Sequence, residues 1–363
     1  MIIELLKWLI MGLLGISIGV FVTLAFRYNK QTTKNFPRQK EILRLSDRIR
    51  TGQSSAIISF FSEERRTILG YLRNENPEQQ RELYGDKADK LIFSYIDIVL
   101  DINKKDLSAK FWKIALEPLT IKQNPELDEA YQICKDSEFN KRSLENIISV
   151  INQQGLRLVL LLDKFEALLE YPNFKENWEF FTTLRSLSAL RTPSPLVLII
   201  ASNSSLGTFH NKIKDLSPFT SPVLNFIGET AVLGSLSDAE IDDLLKEHNI
   251  SVDNCKLIKD MVGGHPYLLK IVVAEFNKIP NQLNSIEITD ICQGIEPMLE
   301  NMLSSWPVKV HEVFLMVNKQ DDVSNYKNVL KELEMQGLIS KNDNEQWQIR
   351  SHIFSKCLKN MSN

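Results

Sequence analysis

The chain has 363 residues, more than one average domain holds, so two or three packed units are expected. A formal net charge of −3 excludes a global electrostatic pull toward nucleic acid. The four cysteines, Cys134, Cys255, Cys292 and Cys357, are far apart and form no CxxC pair, which argues against a disulfide framework or a zinc site and fits a reducing compartment.

The N-terminus departs from the average. From Trp8 to Phe26 there is no charged residue. At about 1.5 Å per residue this run can cross a hydrocarbon core of about 30 Å. Thr23-Leu24-Ala25 is a weak cleavage site, and Glu4 with the single Lys7 makes a poor positive region for a signal peptide. A transmembrane helix within residues 1–27 is therefore expected. Arg27, Lys30, Lys34, Arg38 and Lys40 follow the span, while only Lys7 precedes it. This bias places the N-terminus outside the cell (inner) membrane and the large C-terminal region in the cytoplasm. Gly12, Gly15 and Gly19 share one helix face, which would let two such helices pack into a homo-oligomer.

Residues 28–35 are polar and read as a linker. An amphipathic helix carrying Leu45 and Ile49 follows, and Gly52 ends it. Ala56-Ile57-Ile58, Leu91 to Ile96, Leu156 to Asp163 and Leu196 to Ala201 read as buried strands, with helices around Phe111-Trp112 and over Phe174 to Leu190 between them. Strands alternating with helices predict a doubly wound α/β domain with a parallel sheet over residues 36–233. Beyond Leu233 the pattern becomes helical. Ser237-Asp238-Ala239-Glu240 is a capping box, and Lys256 to Val262, Pro266 to Lys278 and Ile286 to Leu303 are further helices. This gives a helical subdomain over residues 234–304. Helices at Val308 to Val317 and Asn325 to Gln336, then a polar-tipped hairpin at 337–349, predict a winged-helix-like module over residues 305–363.

The most informative segment is Ser59-Phe60-Phe61-Ser62-Glu63-Glu64-Arg65-Arg66-Thr67. It stands between a strand and a helix, the setting of the phosphate loop GxxxxGK[ST]. That loop needs glycines so that backbone N–H groups can close on phosphate, and a lysine for the β and γ phosphates. Here Ser59 and Glu64 stand at the glycine positions, Arg65 at the lysine and Arg66 at the Ser/Thr. Ser62 is a candidate helix N-cap, with Glu63 and Glu64 in the first turn, so the helix start would be satisfied by its own side chains. The charge run itself would commonly form a solvated face with Glu–Arg pairs.

Further landmarks follow in order: Leu160-Leu161-Leu162-Asp163-Lys164-Phe165-Glu166, then Leu198-Ile199-Ile200-Ala201-Ser202-Asn203, then Gly263-Gly264-His265-Pro266-Tyr267-Leu268-Leu269. With Phe36, Arg38 and Glu41 ahead of them and the C-terminal module behind, the chain resembles the AAA-like signal-transduction ATPases of the STAND class and the related prokaryotic AAA+ ATPases, over roughly residues 36–360. The resemblance implies a P-loop NTPase-like sheet domain, a helical lid and a winged-helix tail. It makes Asp163 the Walker B aspartate that holds Mg²⁺, Asn203 or Ser202 the polar sensor, and Gly264 with Pro266 the GxP element near adenine. Lys164 replaces the acidic residue that polarises the attacking water, and a cation cannot serve as that base. Glu166 lies two residues on and is expected to face elsewhere if the strand continues.

The leading expectation is a single-pass membrane pseudo-ATPase that acts as a protein-interaction, signalling or assembly platform, with no cofactor. One alternative is a nucleotide-gated switch holding ATP or ADP with Mg²⁺ through Arg65, Asp163, Asn203, Gly264 and Pro266. Another is a membrane-tethered DNA-binding regulator. Against it, Asp321, Asp322, Glu332, Glu334, Asp343 and Glu345 outweigh Lys327, Lys331 and Lys341.

Overall fold

Burial on both faces makes the apolar runs parallel strands. β1 (Ser55–Ile58), β2 (Leu91–Asp97), β3 (Arg157–Asp163), β4 (Leu196–Ser202) and β5 (Glu229–Val232) form one sheet in the order β2-β3-β4-β1-β5, every pairing parallel. The computed structural model describes residues 38–102, 107–170, 178–216, 225–248, 250, 252–278 and 288–361. The chain divides into Met1–Phe36 and a compact unit Pro37–Asn363, and every described residue belongs to the second. The expected membrane span with Gly12, Gly15 and Gly19 lies outside the described residues. Among the described residues no helix is long and apolar enough to cross a membrane.

Helix α1 (Gln39–Thr51) buries Ile42, Leu45 and Ile49 and ends at Gly52, whose φ of 77° is left-handed. A Cβ there would come within 2.8 Å of the Ser194 nitrogen, so the position needs glycine twice over. Between strands run α2 (Ser62–Leu72), α3 (Pro77–Tyr84), α4 (Leu107–Leu116), α5 (Pro125–Asp136), α6 (Lys141–Gln153), α7 (Trp178–Ser188) and α8 (Leu206–Leu216). The sheet and these helices enclose one core in which Phe111, Trp112, Ile147, Leu160, Phe181 and Leu198 are fully buried.

The rest is helical: α9 (Asp238–Glu247), α10 (Val252–Val262), α11 (Pro266–Lys278) and α12 (Ile288–Ser304). The predicted capping box is present, with Ser237 and Glu240 exchanging hydrogen bonds. Then come α13 (Val308–Lys319), α14 (Lys327–Met335), the antiparallel hairpin of β6 (Ile339–Lys341) and β7 (Trp347–Ile349), and α15 (His352–Met361). A second core runs through both of these stretches, from Leu268 and Leu299 to Trp306, Phe314 and Phe354. It also takes in Phe60 and Phe61 from the turn after β1.

Sequence reading finds four of the five sheet strands and misses β5. That strand, Glu-Thr-Ala-Val, is only half-buried and lacks an apolar run. It also misses α3, α5, α6, α8 and α15. Asn76-Pro77 and Asn124-Pro125 are start signals for the first two: each asparagine caps the helix and each proline opens it.

Candidate functional site

In a parallel sheet of this kind the chemistry lies beyond the C-terminal strand ends, where the chain order switches. Register brings those ends level: Asp97 lies opposite Asp163, and Ile58 opposite Ser202. The turn from β1 to α2 is only Ser59, Phe60 and Phe61. Its N–H groups all point to protein. Ser59 donates to the Ser202 carbonyl (3.1 Å), Phe60 to Gln336 Oε1 (2.7 Å) and Phe61 to Ser59 Oγ (3.1 Å).

Arg65 is the centre of the site, with its side chain 3% exposed. One turn into α2, it reaches back over the strand ends. Nη1 donates to the Ser59 carbonyl, Nε lies 3.5 Å from Asp163 Oδ1, and Nη2 lies 3.7 Å from Glu166 Oε1. Asp163 also accepts from the Tyr95 hydroxyl (3.1 Å) and the Lys164 N–H (2.8 Å). Burial, then the Asp163 charge, pushes the Tyr95 hydroxyl up to about 12. Burial also raises the Glu166 carboxyl above its ordinary value, against the pull of Arg65.

Glu166 does not face elsewhere. The strand stops at Asp163, Lys164 turns left-handed (φ 55°), and the chain enters a 3₁₀ turn that aims Glu166 back at Arg65 and at the Asn203 N–H (3.2 Å). The ammonium of Lys164 pairs with Asp97 at 2.7 Å. The Asn203 side chain reaches the Ser305 carbonyl at 3.5 Å.

The helix start also differs from expectation. Phe61, not Ser62, is the N-cap of α2, and no side chain caps the helix. Ser59 takes over the local hydrogen bonding, accepting from Phe61 and donating to Glu64 (3.3 Å). The charge run divides. Glu63 and Arg66 form the solvated pair (2.7 Å) that such runs favour, while Glu64 and Arg65 turn inward.

Glu64 faces a second polar cluster, 3.7 Å from Arg38 and 3.9 Å from His265. Arg38 also lies 3.8 Å from Glu41 and donates to the Gly234 carbonyl. Burial raises the Glu64 carboxyl, although Arg38 and Lys270 oppose it. Burial and the Arg38 charge hold His265 well below its ordinary value, so it is neutral. Phe61 lies on the His265 ring at 3.7 Å between centroids and meets Trp306 edge-on at 5.9 Å. Gly264 (φ 81°) and Pro266, which opens α11, flank that histidine. The fold thus brings Arg65, Asp163 and Asn203 together through Glu166, while Gly264 and Pro266 meet the turn through His265 and Phe61. Sequence reasoning missed Phe60, Phe61, Arg38 and Gln336 as site residues. Two adjacent aromatics directly after the Ser59 position, in a loop that would have to close on phosphate, were the available signal. Among the described residues, no group of three His, Cys, Asp or Glu side chains is arranged to hold a metal ion.

The AAA-like domain family matches residues 119–360, about two thirds of the chain. The chain belongs to the AAA-like domain family. The matched span includes Asp163, Asn203, Gly264 and Pro266, and leaves out the turn at 59–61. No curated protein matches the chain. Among solved structures, this AAA-like chain is similar to the Walker-type ATPase of Pyrococcus abyssi, at 13% identity and a TM-score of 0.57, over 89% of this chain and 96% of that one. That similarity shows the fold. The Aeropyrum pernix ORC2 protein (12% identity, TM-score 0.43, 93% and 97% of the two chains) and Cdc6p of Pyrobaculum aerophilum (13%, 0.41, 92% and 98%) match more loosely.

Removing one member of a buried ion pair strands the other. Arg65→Ala is expected to destabilise the Pro37–Asn363 unit by about 3–5 kcal/mol in urea unfolding. Adding Asp163→Ala should recover part of the loss; strictly additive losses would show that the two are not coupled. Glu64 gives a pH signature. Its folded-state value is raised, so native protein holds the proton longer than unfolded chain, and the group costs stability as pH rises. Relative to wild type, Glu64→Gln should therefore gain stability as pH rises above about 4.5. A difference that is flat or of opposite slope in paired urea melts would contradict the assignment.

Proposed function

We propose that this AAA-like chain is a nucleotide-silent pseudo-ATPase that serves as a membrane-tethered platform for protein interaction or assembly. One observation carries the reading. The Arg65 guanidinium lies against Asp163, Glu166 and the Ser59 carbonyl, where a phosphate-binding arrangement would need a lysine and Mg²⁺. The turn supports it as well, since Ser59, Phe60 and Phe61 all spend their N–H groups on protein acceptors. The residues present do not fit a Mg–nucleotide, and no chemical step is routed through one. Hydrolysis lacks its base too. Lys164 stands at that position and is tied to Asp97.

The remaining parts of the proposal come from sequence and arrangement. The apolar run at Trp8 to Phe26 is the tether, with the Gly12, Gly15 and Gly19 face as the place where two copies would pair. The helical stretch 234–304 takes the role of a lid. The α13, α14, hairpin and α15 succession has a winged-helix-like order, and its acidic residues favour a packing role over DNA. The other reading, a switch that holds ATP or ADP, would use the same Arg65, Asp163, Asn203, Gly264 and Pro266.

Thermal unfolding of Pro37–Asn363 is expected to move by less than about 1 °C with millimolar Mg–ATP or Mg–ADP, since a ligand at a hundred times its Kd would add about 2.7 kcal/mol. A larger shift that vanishes in Asp163→Ala would establish the switch instead. For the tether, full-length protein should pellet with membranes and resist high salt, whereas a variant lacking residues 1–27 should stay in the supernatant. Both forms in the supernatant would refute the anchor.

A further inference from the structure

Nucleotide-gated proteins close a lid because base and phosphates touch both sides of a cleft, so closure depends on ligand. Here one stretch of the chain touches both sides by itself. Its near end is anchored in the sheet, where Ser59 donates to Ser202 and Arg65 lies on Asp163 and Glu166. Its middle enters the other core. Phe60 lies tilted against Trp306 at 5.1 Å and donates its N–H to Gln336, while Phe61 lies on His265. Arg38 adds a second tie, joining Glu64 to the Gly234 carbonyl at the start of the helical part. Thr208 on α8 donates to Glu332 on α14 at 3.0 Å.

We propose that residues 59–65 are a built-in ligand that clamps the helical lid and the C-terminal unit onto the sheet without nucleotide. The inference rests on the nucleotide-silent reading and extends it. An aromatic pair inserts into the second core, and a guanidinium supplies the positive charge at the strand ends. Being part of the chain, neither group can dissociate, so the cleft stays shut at any nucleotide concentration. Regulation then has to come from something that competes with the clamp's own contacts, such as a protein partner that engages the lid.

Limited proteolysis of Pro37–Asn363 by a non-specific protease tests this, with cleavage at the connector 233–237 followed by mass spectrometry. Where opening is fast, cleavage tracks the population of the open form. Wild-type cleavage should be slow and unchanged, within about twofold, by Mg–ATP. Phe61→Ala should speed it about tenfold or more, and Gln336→Ala, which removes one hydrogen bond and keeps the core, by a smaller factor. Ile147→Val, in the core of the sheet domain, controls for general loss of stability and should leave connector cleavage within about twofold of wild type. If Phe61→Ala unfolds outright, Gln336→Ala carries the test. A connector that is protected only when Mg–ATP is added overturns the nucleotide-silent reading and the clamp with it. A connector that ignores Mg–ATP and is unmoved by both variants, or responds equally to Ile147→Val, overturns the clamp alone.

Discussion

A guanidinium taken almost out of water must find fixed acceptors, because desolvation costs several kcal/mol that only well-placed opposite charge offsets. Arg65 finds three: the Ser59 carbonyl, Asp163 and Glu166. The dependence runs both ways, since Asp163 is fully buried and would otherwise be a stranded anion. This interaction ties three parts of the fold to one another: the entry of α2, the end of β3 and the 3₁₀ turn after it. It also fixes what lies around them. With Asp163 and Glu166 committed to Arg65, Lys164 turns away on a left-handed backbone and takes Asp97 at the end of the neighbouring strand.

The second constraint is steric. A three-residue turn that places Phe60 and Phe61 in a core cannot also curl around a phosphate. Their rings are covered by His265, Tyr267 and Trp306, which come from the turn before α11, from α11 and from the turn after α12. The glycines nearby serve that packing. Gly263 has φ 61°, and a Cβ on it would meet the Arg350 carbonyl carbon at 2.8 Å, so the approach of α10 to the hairpin needs a residue without a side chain. Gly264, the glycine of the GxP-like string, has φ 81° and would put a Cβ 3.3 Å from the Leu236 carbonyl oxygen, so that string too can be read as a packing requirement.

Most of the sheet was legible in the sequence because burial on both faces leaves uninterrupted apolar runs, as in Leu158 to Leu162 and Leu196 to Ile200. Half-buried β5 leaves no such trace. In the site, the loss of glycine at Ser59 and Glu64 and the lysine at Lys164 were visible at once. The destination of each charge was not. Four consecutive charged residues at Glu63, Glu64, Arg65 and Arg66 look alike on a helix, yet the inner two and the outer two have opposite fates. The 3.6-residue period turns Glu64 and Arg65 inward and leaves Glu63 and Arg66 in water. Glu166 was misplaced for a related reason, since its direction depends on where the strand stops, and a strand end is the least legible feature of a sequence.

These contacts bear on how far the chain stands from an ATPase. Restoring lysine at Arg65 alone would leave Phe60 donating to Gln336 and Phe61 to Ser59, so the backbone cradle would still be missing. Restoring glycine at Ser59 and Glu64 would remove the hydroxyl that holds Phe61 and the carboxylate that faces Arg38, while the Phe60 and Phe61 rings would still occupy the turn. Replacing Lys164 by an acid would place a third carboxylate beside Asp97 and Asp163 with its cation gone. Each reversion is therefore costly while the others are absent. A site in which binding, packing and charge balance have all been rebuilt around Arg65 is held where it is by the stability of the fold.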